Sequence, residues 1–306
     1  MSHPIAVILG PTAVGKTDIA IKLAKKINGE IISADSMQAY KGMTIISRRP
    51  RPAERKGIPH HLLGFLEPSC EYSAALFSKM AAFRIKKIIK KGKIPIITGG
   101  SGLYARALID GIFPSKGKSE KIRKRLAGLA AKNGNLFLYG MLQKIDPLSA
   151  EKIHPNDMRR VIRALEIYEL EKKTKTSLGE KTKGIKDEYE IKIFGLNMTR
   201  DALYERINKR TDCMFQEGAV KEVKRLLGKK LSITARKAIG ITQIEGYLKQ
   251  RYDTEKAKEL LKRDTRRFAK RQLTWFRADK RIRWLDIGKM GEKRVLDIMA
   301  SRLTGM

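Results

Sequence analysis

The chain has 306 residues, 42% of them hydrophobic, with 66 Lys+Arg against 32 Asp+Glu for a formal net charge of +34. That length carries one large domain, or a core domain with a substantial insertion, and excludes three units; the charge excess points first to a polyanion such as nucleic acid, the plainer alternative being a basic surface that resists aggregation. Basic residues interspersed with acids, beside no long apolar span, argue against a membrane protein. Cys70 and Cys213 stand apart without a partner motif, which argues against a disulfide framework or a zinc site, and Met1–Pro4 leads into a strand-like segment without a signal-peptide pattern, so a reducing cytoplasm is expected.

Ile5-Ala6-Val7-Ile8-Leu9 is a short continuous apolar run ending at Gly10, the pattern of a buried parallel strand. A helix follows, with Ile19, Ala20, Leu23, Ala24 and Ile27 at helical spacing and Gly29 placed to stop it. Glu30–Asp35 reads as a second strand with Asp35 at its carboxyl end, Ser73–Lys91 as a helix, and Ile94–Thr98 as a third buried strand running into Gly99-Gly100-Ser101-Gly102. Three strand ends then meet at one edge, where open α/β sheets place ligands.

From about Ser115 to Lys186 the pattern changes to charged helical stretches, including Lys116–Lys132 and Asp157–Lys172, and predicts a helical insertion. Tyr189–Asn197 alternates like a strand, Arg200–Leu227 and Thr254–Arg277 read as long basic helices, and Arg281–Ile287 as a closing strand. Trp275 falls in an apolar helical pattern with Leu273 and Phe276 and is expected in the core. The expected fold is α/β, a P-loop NTPase-like parallel sheet flanked by helices, with residues 1–114 and 187–306 forming the core and 115–186 the insertion.

Gly10-Pro11-Thr12-Ala13-Val14-Gly15-Lys16-Thr17 matches the P-loop pattern in full and sits between a strand and a helix. Its backbone amides and the helix N-terminus would cradle phosphate oxygens, Lys16 would reach the terminal ones, and the Thr17 hydroxyl would bind a bridging Mg²⁺. The plainer alternative is a Gly-rich turn with an exposed lysine. A P-loop grips any polyphosphate, so ATPases, small-molecule kinases and diphosphate-releasing transferases all stay open. No Walker-B carboxylate ends the strand before Gly99-Gly100-Ser101; the nearby acid is Asp35, placed to touch an acceptor nucleophile or, more plainly, to cap a turn.

Beyond the P-loop, the chain carries in order Ser33-Ala34-Asp35-Ser36-Met37-Gln38-Ala39-Tyr40-Lys41-Gly42-Met43, Pro59-His60-His61-Leu62-Leu63, Gly99–Tyr104, Ile153-His154-Pro155-Asn156-Asp157, Arg206-Ile207-Asn208-Lys209-Arg210 and Lys270-Arg271-Gln272-Leu273-Thr274-Trp275-Phe276-Arg277. This ordered set, spanning nearly the whole chain, resembles the tRNA dimethylallyltransferase (IPP transferase) family. The resemblance implies transfer of a dimethylallyl group from dimethylallyl diphosphate to the exocyclic amine of the adenosine 3′ of the tRNA anticodon. It implies a diphosphate grip from Gly10–Thr17, completed by Lys16, Ser101, Arg210 and a Thr17-bound Mg²⁺, with Asp35 as the base.

By the same resemblance, tRNA contacts fall at Asp35, Ser36, Met37, Gln38, Ser101, Arg123, Arg159, Arg160, Arg163, Arg236, Lys237, Gly240 and Thr242. The insertion would grip the anticodon stem, His60 and His61 would serve structure and substrate lining, and the enzyme would be a cytoplasmic monomer. Arg159, Arg160 and Arg163 follow the expected cap Asp157, so at least two share a helix face, as phosphate contacts or a solvated basic face would. In the last long helix Lys262, Arg266, Arg267, Lys270 and Arg271 are too numerous for all to touch RNA.

The chain departs from the family pattern at Ser101, usually Thr, and at Val14, usually a smaller residue. Ile46-Ser47-Arg48-Arg49-Pro50 replaces Gly-Thr-Ala-Lys-Pro, and Gly240-Ile241-Thr242 replaces Gly-Tyr-Arg, which puts local RNA contacts in question. Competing readings are an adenylate isopentenyltransferase, a small-molecule P-loop kinase with Asp35 activating a hydroxyl, and an RNA-binding module with a retired P-loop.

Overall fold

A computed structural model of the chain describes residues 4–113, 117–180 and 182–305. They form two compact units, Met1–Ile109 with Ile185–Met306, and Asp110–Gly184. The expected boundary at Ser115, the expected helix start at Lys116 and the stretch Met1–His3 lie outside the described residues.

In chain order the elements are β1 (Pro4–Leu9), α1 (Lys16–Lys26), β2 (Gly29–Ser33), β3 (His60–His61), α2 (Ala74–Lys90), β4 (Ile94–Gly99) and α3 (Gly102–Ile109). Then come α4 (Glu120–Asn133), α5 (Asn135–Ile145), α6 (Pro147–Glu151), α7 (Met158–Glu171) and α8 (Lys175–Glu180). The chain closes with β5 (Glu190–Asn197), α9 (Arg200–Gln216), α10 (Ala219–Leu227), α11 (Ile241–Leu248), α12 (Thr254–Arg277), β6 (Arg283–Asp286), α13 (Ile287–Met290) and α14 (Glu292–Thr304).

The larger unit is built on a six-stranded parallel sheet in the order β3-β2-β4-β1-β5-β6. Its strands read as continuous apolar runs because both faces are covered. Ile5, Val7 and Leu9 join the core shared with α2, α3, α10 and α11, whereas Ala6 and Ile8 join the core shared with α1, α9 and α14. Each buried Ile, Leu or Val contributes roughly 1.5–3 kcal/mol, so this two-sided burial fixes the register that sets Leu9 opposite Gly99 and Gly195.

Several local expectations are corrected. Helix α1 ends at Lys26, and Asn28, with φ 50°, makes the turn; Gly29 instead begins β2, where a Cβ would meet Ile94 O at 2.9 Å. The stretch expected as one helix over Arg200–Leu227 is split into α9 and α10 at Gly218, whose φ of 98° suits glycine and ends a right-handed helix. Trp275 is 40% exposed rather than in the core. The buried stripe of α12 is Ala257, Leu261, Ala269, Gln272 and Phe276, and Trp275 lies one position off it, its indole against Gly102.

The smaller unit, Asp110–Gly184, packs Leu126, Leu138, Leu142, Ile153, Val161 and Leu165 into its own core. Helix α4 is capped by Ser119, and α7 by Asp157, whose Oδ1 accepts the Arg160 amide at 3.2 Å. Glu166 is fully buried, and its carboxylate accepts Arg123 at 2.9 Å through each oxygen, Arg163 at 2.6 Å and the Ser119 amide at 2.7 Å. Burial alone would raise this carboxyl, but the hydrogen bonds from Arg123, Arg163 and Ser119 outweigh it and hold it below the usual range.

Candidate active site

Since β1, β2 and β4 are parallel, their carboxyl ends bring the Gly10–Thr17 loop, Asp35 and Gly99–Ser101 to one edge of the sheet. The approach is close: a Cβ on Gly99 would stand 2.2 Å from the Ala34 carbonyl oxygen, so only glycine lets the ends of β2 and β4 meet beside Asp35. In the P-loop, Ala13 and Gly15 take φ of 67° and 99°, which turns the backbone of the loop over the start of α1.

These elements line a cavity of about 400 Å³ that holds Thr12, Lys16, Thr17, Asp35, Gln38 and Arg210 together. Ala13 and Gly15 also line it, whereas Gly10, Pro11 and Val14 do not, and Val14 is buried in the core. The Lys16 ammonium donates to the carbonyls of Gly10 and Pro11 at 2.9 and 2.7 Å. Burial pushes its pKa down to about 7, with Asp35 opposing the shift and Arg210 adding to it. Arg210 is likewise lowered to about 10 by burial and by Arg48, against the pull of Asp35, and it donates to Thr12 Oγ1 at 3.2 Å.

Asp35 Oδ1 accepts the amides of Met37 at 2.9 Å and Gln38 at 3.4 Å. Asp35 thus caps the turn through Oδ1 and at the same time lines the cavity. Ser101 lies behind this turn: its Oγ accepts the Ser36 amide at 3.2 Å and donates to Ser36 Oγ at 3.4 Å. Ser36, Met37 and Ser101 do not line the cavity, so its wall is made by Asp35, Gln38, Thr98, Gly99 and Gly100.

Other predicted residues lie apart from this cavity. Arg236 is ion-paired to Glu245, Lys237 is exposed, Gly240 caps α11 at φ 111° and Thr242 is exposed on that helix. Ile241, standing where the family carries Tyr, is fully buried, so that substitution changes the core and leaves only Thr242 on the surface. In the smaller unit Arg123 and Arg163 neutralise Glu166, Arg160 pairs with Asp157 at 3.2 Å and Arg159 is exposed. His61 Nε2 meets buried Glu30 at 2.8 Å and neither His60 nor His61 lines the cavity.

Gln272 is one residue that sequence reasoning did not assign to the site. It is buried, its Oε1 accepts the Thr12 amide and its Nε2 donates to the Gly100 carbonyl, both at 2.8 Å, so one side chain ties the P-loop to the end of β4. Its signal was a polar residue at a core position of the Lys270–Arg277 stretch. Glu222 was overlooked as well; its carboxylate accepts the Thr44, Ile45 and Ile46 amides at 2.9–3.0 Å and fixes the segment that carries Arg48.

The comparisons with known proteins agree with this geometry. A family model described as IPP transferase matches residues 38–279. A tRNA dimethylallyltransferase of Carboxydothermus hydrogenoformans is 50% identical over 300 residues, covering 97% of this chain and 96% of the relative. Among solved structures, a tRNA isopentenylpyrophosphate transferase of Bacillus halodurans superposes with a TM-score of 0.73 at 38% identity, covering 100% of this chain and 96% of the other. A eukaryotic dimethylallyltransferase acting on tRNA gives 0.82 at 30% identity, covering 99% and 80%.

Proposed function

This chain belongs to the IPP transferase family and is a tRNA-modifying prenyl transferase, and we propose that its cavity carries a dimethylallyl group from dimethylallyl diphosphate to the exocyclic amine of the adenosine 3′ of the anticodon. The observation that carries this reading is one cavity holding two lowered-pKa cations, Lys16 and Arg210, with Asp35 the carboxylate whose charge acts on both. Cations in a partly dry site stabilise negative charge as it develops on a leaving diphosphate far better than they would in water. A kinase reading has less support, because β4 ends in Thr98-Gly99, followed by Gly100, rather than in an acid.

The adenine must leave its stack to enter a cavity of this kind. Its nitrogen attacks the allylic carbon as the carbon–oxygen bond breaks; the electron pair departs on the diphosphate, held by Lys16, Arg210 and the loop amides. The proton lost from nitrogen passes to Asp35 Oδ2, the oxygen that the turn leaves free. Ser101, bonded to Ser36, supports the turn that presents Asp35.

Thr17 lines the cavity, a donor of the kind that Mg²⁺ on a phosphate ligand takes from protein. The described residues hold no cluster of three or more His, Cys, Asp or Glu, and Mg²⁺ takes most of its ligands from phosphate and water with one or two from protein. Thr17 would supply its hydroxyl, and the ion would neutralise diphosphate charge. The smaller unit, through Arg159 and Arg160 on its surface, would grip the anticodon stem.

Asp35→Asn keeps the turn cap and removes the base. Prenyl transfer to unmodified tRNA, read as a mass shift in the digested RNA, should fall by about 10²–10⁴-fold while tRNA affinity holds. Undiminished turnover would remove Asp35 as base, and wild-type transfer to AMP but never to tRNA would overturn the choice of acceptor.

A further inference from the structure

Arg48 stands where the resembled family carries alanine, and the structure gives it a definite place. It lines the cavity with Lys16 and Arg210. Its Nη1 donates to Glu217 Oε1 at 2.7 Å, while Arg51 Nη2 takes the other oxygen at 2.8 Å. Its backbone is equally fixed. Gln38 Nε2 donates to the carbonyls of Ser47 and Arg48 at 3.4 and 3.2 Å, and Arg48 takes a left-handed φ of 51°. Glu222 anchors the three amides of the preceding residues.

Glu217 carries one negative charge and holds two guanidiniums, and the cavity as a whole is lined by six Lys and Arg against four Asp and Glu, so positive charge is in excess. Arg210 feels it, since Arg48 is among the causes of its lowered pKa. Two guanidiniums that repel each other across a shared cavity gain most from an anion placed between them. Glu217 restrains Arg48 without neutralising the pair, which keeps the side chain in position when no anion is present.

We propose that Arg48 is a third cation of the phosphate grip, contacting a phosphoryl oxygen together with Lys16 and Arg210, and that Glu217 is the positioning residue that aims it. This rests on the reading of the cavity as a diphosphate site. The phosphoryl group belongs either to the diphosphate or to the RNA backbone beside the target adenosine, and the two sources can be separated.

Calorimetric binding of Mg²⁺-pyrophosphate to the full chain without RNA should weaken about 10- to 100-fold in Arg48→Met, as loss of a charge-assisted hydrogen bond implies. Arg48→Lys should recover part of it. A change confined to KM for tRNA, with pyrophosphate affinity intact, would assign Arg48 to an RNA phosphate. Arg48→Met with both quantities unchanged would overturn the proposal, as would losses equal in Arg48→Met and Arg48→Lys that track a lowered melting temperature. Wild-type protein that fails to bind Mg²⁺-pyrophosphate would instead remove the diphosphate reading itself. Glu217→Gln, which loosens the aim but keeps the cation, should weaken pyrophosphate less than Arg48→Met does; a larger loss would deny Glu217 its positioning role.

Discussion

Lys16→Met should stabilise the ligand-free protein while abolishing its response to diphosphate. Burial holds the Lys16 pKa at about 7 instead of 10.5, so between these values the unfolded chain binds more protons than the folded one. The cost to stability is therefore complete below about pH 7 and fades as pH rises toward 10.5. At about 1.36 kcal/mol per pH unit, that interval sets a ceiling of about 5 kcal/mol. Partial solvent access to the side chain reduces the expected gain to roughly 1–3 kcal/mol, or about 2–6 °C for a unit of this size. Thermal melts by circular dichroism at about pH 6 and about pH 9, with and without Mg²⁺-pyrophosphate, separate the terms. The variant should melt higher at the lower pH, the gap should narrow at the higher one, and only the wild type should respond to pyrophosphate. A variant that melts lower at about pH 6, or a gap that widens with pH, refutes the reasoning.

Two other substitutions probe the supports. Gln272→Met leaves the buried Thr12 amide and Gly100 carbonyl without partners, so the melting transition should fall by roughly 1–3 kcal/mol, and KM for the allylic diphosphate should rise as the loop shifts; an unchanged KM would confine Gln272 to stability. In the smaller unit, Glu166→Gln removes a carboxylate held below its ordinary 4.5. Its contribution is complete above about that pH and is lost as pH falls through the lowered folded value, so a deficit of roughly 1–3 kcal/mol at neutral pH should shrink in acid, and a pH-independent deficit in urea unfolding would contradict the assignment.

The parts of this site that depend on neighbours in sequence were legible from the sequence. The P-loop is a local backbone device, and Asp35 follows directly from where β2 ends. The parallel core was legible for the same reason, since a strand covered on both faces must be apolar throughout. What escaped depends on pairs far apart in the chain. Thr12 and Gln272 are separated by 260 positions, and Glu222 and Thr44 by 178. Trp275 misled because its pattern matched a core face, yet a shift of one position on a helix turns a side chain by about 100°. The pairing of Arg123 and Arg163 with Glu166 escaped as well, because no motif links Glu166 to Arg123.

Charge balance in the cavity ties these observations together. Without a ligand, Asp35 is the acid whose field supports both Lys16 and Arg210, and Glu217 is already committed to Arg48 and Arg51. Burial is the largest cause of the depressed Lys16 and Arg210 pKa values; Arg210 adds to the first and Arg48 to the second, and Asp35 opposes both. In the proposed reaction a diphosphate would add negative charge to the cavity and relieve Asp35 of its role as counter-ion when its second oxygen takes the proton. On the same proposal an arginine at position 48 would add to affinity for the bound anion, and with none bound its ion pair with Glu217 holds it in place although it still repels Arg210.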